Sequence, residues 1–365
     1  MRCMKKLIVC IVLVVCYLTA ICQDGVRFED LTLEQALKKA KAENKLILMD
    51  CYTSWCGPCK MMASRIFTQK KAGDFFNSRF VSVKYDMEKG EGIELAKKYN
   101  VKSFPTFFIM KPDGTVQHRI GGGAYKLEDF IAWIEMGLNE KTSLAYLEKR
   151  YAAGDMTKEE MADYHWALYY AGYKDKDEAL KKELWERLDK SDKLQEKFWF
   201  LMKEQSYGTS DFKFVVDHIA DFRKLDGVQG DLDYFLMINY MRGIRKCLMN
   251  EGFKNMKELG KEVKKIRKEV TELVLNDSNV LLRVDLAEAA LAGDADRVIT
   301  ILEGAILKAQ GNNLWDLLAA LDFIVGKGNK EQCERVLVLG EKLIKRWPDE
   351  RMRANIKQSI DRFRE

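Results

Sequence analysis

Two cysteines three positions apart, Cys56 and Cys59 in the string Trp55-Cys56-Gly57-Pro58-Cys59-Lys60, are the residues best suited to do chemistry. When a Cys-x-x-Cys pair opens a helix that follows a buried strand, both sulfurs sit on the first turn. The unpaired amide N–H groups there favour negative charge. The thiolate of the first cysteine is stabilised and its pKa falls. The chemistry is dithiol–disulfide exchange, with Cys56 as the exposed nucleophile and Cys59, one turn inside, as the resolving thiol that breaks the mixed disulfide. Pro58 lacks an amide hydrogen and has a fixed φ, so it stiffens the turn and keeps the sulfurs at bonding distance. Covalent haem is set aside because Lys60, not a histidine, follows the second cysteine. Zinc is set aside because the chain offers no second Cys-x-x-Cys and no nearby histidine pair to complete four ligands. Exchange of this kind needs neither cofactor nor metal.

The elements that must position this pair are legible around it. Thr32-Leu33-Glu34-Gln35 has the form of a capping box and opens an amphipathic helix running to about Glu43. Leu46 to Met49 is a continuous apolar run, as in a strand buried on both faces. A helix from about Gly57, a strand from Phe80 to Tyr85 and a helix from about Ile93 to Tyr99 follow. Thr106 to Met110 and Thr115 to Ile120 flank Lys111-Pro112-Asp113-Gly114 as a hairpin, and a last helix covers about Leu127 to Gly137. Strands alternating with helices and ending in a hairpin make an α/β fold around a mixed central sheet.

The string Trp-Cys-Gly-Pro-Cys-Lys after an apolar strand closely resembles thioredoxin, and the match extends over about Leu31 to Leu138. The resemblance implies the thioredoxin fold and a redox-active disulfide between Cys56 and Cys59. It implies that Asp50 is the buried aspartate that accepts the proton of the resolving cysteine, through water, and that Lys84 faces it from the next strand. Phe104-Pro105-Thr106 resembles the family's cis-proline loop, which lies against the disulfide and offers backbone hydrogen bonds to an extended substrate. Gly121 and Gly122 match the glycine at which a substrate backbone comes close, and Trp55, Gly57 and Pro58 complete that surface. Two departures stand out: Cys51 and Tyr52 replace the usual aromatic residues after the aspartate, and Phe104 is bulkier than the usual aliphatic. Cys51 reads as a packed strand residue and Phe104 as a residue that narrows substrate choice.

Beyond about Lys141 the strand signals vanish. Glycines punctuate helical stretches, and Pro348 is the single proline of that region. Asp294 caps a helix whose apolar positions Val298, Leu302, Ala305 and Ile306 recur at three- and four-residue spacing until Gly311. Ten to twelve such helices with short connections predict an all-α array of helical hairpins, an irregular α-solenoid or tetratricopeptide-like stack in preference to a closed bundle. Cys247 and Cys333 fall on apolar helix stripes and read as buried. His118 reads as half-exposed in the hairpin, His165 and His218 lie in separate helices, and the aromatic run Tyr164 to Tyr170 reads as inter-helix packing.

Arg2, Lys5 and Lys6 precede an apolar run from Leu7 to Ile21, and Ala20-Ile21-Cys22 puts small residues at the positions a signal peptidase reads. The run falls short of the roughly 20 apolar residues of a membrane span. The organisation expected is therefore a signal peptide over 1–22, a thioredoxin-like domain over 23–140 and a helical domain over 141–365. Setting the signal aside leaves five of the nine cysteines, far too few for a disulfide-stapled scaffold. It also leaves 58 basic against 56 acidic residues, which gives no footprint for nucleic acid or an anionic membrane. With 47% hydrophobic and 32% charged residues, the chain has ample material for packed cores.

Together these features predict an exported thiol–disulfide oxidoreductase of a bacterial periplasm that reduces disulfides in client proteins, is recharged by a membrane thiol donor and is not itself inserted in the membrane. Two other readings stay open: oxidase or isomerase chemistry at the same pair, and a helical array that binds clients for the thioredoxin-like head.

Overall fold

The computed structural model describes residues 24–273, 278–309, 312–347 and 349–364; the expected signal peptide, Gly311 and Pro348 lie outside them. The chain divides into two compact units, one ending at Asp189 and the other beginning at Lys190.

The first unit is built on β1 (Phe28–Glu29), β2 (Leu46–Tyr52), β3 (Phe80–Asp86), β4 (Thr106–Met110) and β5 (Val116–Gly121), arranged β1-β3-β2-β4-β5. β2 runs parallel to β3 and antiparallel to β4. Its continuous apolar run arises because both faces are covered. Leu48 joins a core with Phe76, Phe107 and Phe130, while Ile47, Met49 and Cys51 join another with Leu33, Ala36 and Leu95. Helices α1 (Leu33–Glu43) and α4 (Glu91–Lys98) supply the second core, and α2 (Gly57–Met61), α3 (Lys70–Arg79) and α5 (Leu127–Leu138) the first. The Thr32–Gln35 capping box forms in both directions, as its spacing requires.

The stretch after Gly57 is not one helix. α2 passes into a π-helical turn at Met62–Ile66, breaks, and restarts at Lys70. The break falls where the Phe67 carbonyl is taken by the Val26 N–H at 2.7 Å, so the N-terminal segment replaces a helical partner. β1, two residues long, is too short to leave a periodic signal.

Three more helices belong to this unit: α6 (Leu144–Ala153), α7 (Lys158–Ala171) and α8 (Lys174–Arg187). α6 and α7 pack on β5, the outer strand of the sheet. This contact overturns the half-exposed reading of His118. The imidazole is 0% exposed, its Nδ1 accepts the Leu144 N–H at 3.0 Å, and burial pushes its pKa down to about 4. Gly137 is required beside it, since a Cβ there would come within 2.7 Å of the imidazole. The aromatic run packs between helices as expected. Tyr170 lies 5.0 Å from Trp133, Tyr164 lies 5.4 Å from Tyr151, and His165 Nδ1 meets Asp177 Oδ1 of α8 at 2.6 Å.

Among its described residues the second unit is helical, without strands. Most of its helices pack against chain neighbours, as hairpins demand: Gln229–Leu248 on Met256–Glu272, that helix on Ser278–Ala292, and Lys330–Arg346 on Glu350–Asp361. Asp294 caps Ala295–Ala305 through the Arg297 N–H, as predicted. Cys247 is buried, but Cys333 is only partly so, because Lys330–Arg346 buries Val336, Leu339 and Leu343 and leaves Cys333 at the margin of that stripe.

Candidate active site

β2 ends at Tyr52, and the chain turns through Thr53 to deliver Cys56 as the N-cap of α2. The turn is closed by the Cys56 N–H donating to the Thr53 carbonyl at 3.2 Å. Cys56 and Cys59 form a disulfide across 5.3 Å between their Cα atoms. The Cys59 N–H, one of the first-turn donors with no helical acceptor, points at Cys56 Sγ at 3.1 Å. The same donor stabilises a thiolate on Cys56 when the pair is reduced. Pro58 occupies the first turn, where its missing N–H costs no helical bond.

Cys56 is not exposed in this oxidised form: it is 3% accessible, beneath exposed Trp55, Gly57 and Pro58. The sulfur is turned inward by its bond to Cys59. Trp55 stands out at 64% exposure, its Nε1–H donating to both carboxylate oxygens of Glu88 at 3.0 and 3.1 Å. Its ring meets Phe104 edge to face at 5.9 Å, so the bulkier residue before the proline becomes a wall shared with the tryptophan.

The Phe104–Pro105 bond is cis, as the resemblance implied. Thr106 turns the loop into β4 by donating its hydroxyl to the Ser103 carbonyl at 2.8 Å. The Pro105 carbonyl accepts the Gly122 N–H at 2.8 Å, and Gly122 has φ +91°, a conformation that selects glycine. The two glycines therefore differ: Gly122 is tied to the proline loop, whereas Gly121 abuts the Tyr170 and Ala171 carbonyls of α7, 3.6 Å from where its Cβ would be.

Asp50 and Lys84 are register partners on β2 and β3. Asp50 is buried, and its Oδ1 has no hydrogen-bond partner among the described residues. Burial pushes its carboxyl up to about 7, with the Lys84 charge pulling the other way. The two line a cleft of about 360 Å³ walled by the N-terminal segment Asp24–Phe28 and by Phe67. Cys51, one residue on, points to the opposite face. It is wholly buried, and burial raises its thiol far above the usual range, which fits packing and not exchange.

The chain matches the model of the Thioredoxin-like domain over residues 33–137. Thioredoxin-1 of Drosophila melanogaster is 37% identical over 91 residues, which is 25% of this chain and 80% of that one. The chain belongs to the thioredoxin family. Among solved structures, a provisionally named disulphide-isomerase from Bacteroides thetaiotaomicron is 41% identical, covering 32% of this chain and 95% of that one, with a TM-score of 0.30. The C-terminal domain of Neisseria meningitidis DsbD in its oxidised form is 25% identical, covering 31% and 99%, with a TM-score of 0.27. With the Cys56–Cys59 pair in place, the thioredoxin domain is a thiol–disulfide oxidoreductase domain.

Two residues around this thioredoxin site carry no sequence signal. Glu88 is one acid in a polar turn, and only the fold brings it to Trp55. Arg119 sits in the hairpin strand yet is buried, its guanidinium 5.5 Å over Phe108 and 5.2 Å over Tyr173, with Nη1 donating to the Tyr99 and Asn100 carbonyls at 3.3 Å. It ties the start of α8 to the loop that leads into Phe104. Among the described residues no cluster of His, Cys, Asp or Glu is arranged to hold a metal ion, and no helix is long and apolar enough to cross a membrane.

Proposed function

We propose that this protein is an exported reductant of protein disulfides, working in a bacterial periplasm. The observation that carries the reading is the Cys59 amide directed at Cys56 Sγ on the first turn of α2, with Gly57-Pro58 between the sulfurs. In the reduced protein the Cys56 thiolate attacks one sulfur of a client disulfide. The client S–S bond breaks, a mixed disulfide forms, and one client thiolate leaves. Cys59 then gives its proton to Asp50 through water and attacks Cys56 Sγ, releasing the second client thiolate and closing the Cys56–Cys59 disulfide. Two electrons pass to the client. Trp55, Phe104, Pro105, Thr106 and Gly122 form the surface along which an extended client segment lies, with Gly121 beneath it.

A reductant outside the cytoplasm needs electrons from a membrane dithiol donor, so the oxidised pair must also be a substrate for such a partner. The export reading rests on the basic and apolar pattern of residues 1–22. The helical second unit is read as a surface that selects clients. Oxidase or isomerase chemistry is the competing reading, and the potential of the pair separates them. Equilibration of the full chain against thiol–disulfide buffers, with Cys56→Ser as control, should give a value near or below about −250 mV; a value near about −120 mV would make the protein a disulfide donor.

A further inference from the structure

β1 contributes only two residues, yet its register sets Phe28 opposite Ser82, one same-face position before Lys84 on β3. The Lys84 ammonium lies 5.7 Å from the Phe28 ring centroid, within the range at which an aromatic face holds a cation. The ring is itself fixed. It packs edge-on against Phe67 at 5.0 Å, and the backbone leading to it is gripped by Asn77, which donates to the Gly25 carbonyl at 3.1 Å and accepts the Arg27 N–H at 2.9 Å. Gly25 and Gly73 have no room for a Cβ, which would fall 2.1 Å from the Phe67 carbonyl oxygen and 2.7 Å from the Gly25 carbonyl oxygen. The N-terminal segment is thus threaded into a slot that leaves Phe28 one place to be.

Phe28, Lys84 and Asp50 line one cleft. The charged groups facing Asp50 there are Lys84 from β3 and Asp24 from the N-terminal segment; Ala63 and Phe67, after α2, and Phe107, its register partner on β4, are uncharged. The sulfurs of α2 are bonded together and do not titrate. Lys84 is exposed, and Asp50 Oδ1 accepts no hydrogen bond from it among the described residues; the contact the structure gives its ammonium at the cleft is the Phe28 ring.

We propose that Phe28 is a positioning residue for the resolving step: its ring holds the Lys84 ammonium at the cleft, and Lys84 in turn favours the ionised Asp50 that takes the Cys59 proton. The inference rests on the role proposed above for Asp50. Its test is the titration midpoint of the Asp50 carboxyl, followed by carbon-13 NMR of the full oxidised chain. Phe28→Leu should raise that midpoint by about half a pH unit, Lys84→Met should raise it further, and Phe28→Leu should add nothing once Lys84 is gone. Phe28→Trp, which keeps a cation-binding face, should restore the original midpoint. Should leucine unfold the strand, Phe28→Met removes the ring at similar volume. A rise equal with and without Lys84, or no rise at all, would leave Phe28 a packing residue and overturn the proposal. Asp50→Asn, read by the pH dependence of mixed-disulfide release, tests the underlying role on its own: an unchanged profile removes Asp50 from the reaction, while the Phe28–Lys84 coupling is still judged by the midpoints.

Discussion

Asp50 is an acid that the fold keeps protonated up to about pH 7, and this has a measurable cost. Its folded pKa near 7 lies above the ordinary 3.8, so the folded state binds the proton more tightly. Stability is therefore unaffected below pH 3.8, falls as pH rises from there to about 7, and stays at the lower level above it. Three pH units correspond to about 4 kcal/mol. Asp50→Asn should be more stable than the parent by that order at pH 8, with the difference shrinking toward zero near pH 4, as urea unfolding across pH would show. Asp50 and Pro105 were legible only through the resemblance to thioredoxin, which carries an acid and a proline at those positions relative to Cys56. Glu88, Arg119 and Phe28 escaped because each acquires its partner only when strands far apart in the chain come together.

Elements were read best where one local rule decides them. The Thr32 cap, the β2 run and the hairpin strands lie within a residue or a few of expectation. The stretch after Gly57 misled because the break at Phe67 is made by a distant segment, and local propensity does not record it. α6 and α7 misled in another way, since an amphipathic stripe is the same whether it covers a sheet or another helix. Their packing makes a prediction. A chain ending at residue 140 strips β5 of its cover, takes the Leu144 donor from His118 and uncovers Trp133. At roughly 1.5–3 kcal/mol for each large apolar side chain uncovered, that fragment should lose several kcal/mol in urea unfolding relative to one ending at Asp189.

At the scale of the whole molecule, the chain forms two compact units. The first extends to Asp189, some fifty residues beyond the last thioredoxin helix, α5. A fragment spanning 24–189 should therefore reduce a small generic disulfide within about two-fold of the full chain, since the whole redox site lies inside it. Capture of a native client by a Cys59→Ser trap should need the second unit as well. Capture by the fragment alone, at full efficiency, would mean that the helices beyond Lys190 do not select clients. The redox half was legible because its chemistry demands a fixed spacing; the helical half was not, because burying a stripe demands only a period.

The cover on β5 has one more consequence. A sheet with an open rim is a template onto which a passing unfolded chain can add itself as another strand, the first step of edge-to-edge aggregation. Here one rim lies under α6 and α7, and the other is β1, two residues long. Neither rim thus presents a long open edge among the described residues, so a loosened chain that meets this sheet finds no full strand to pair with.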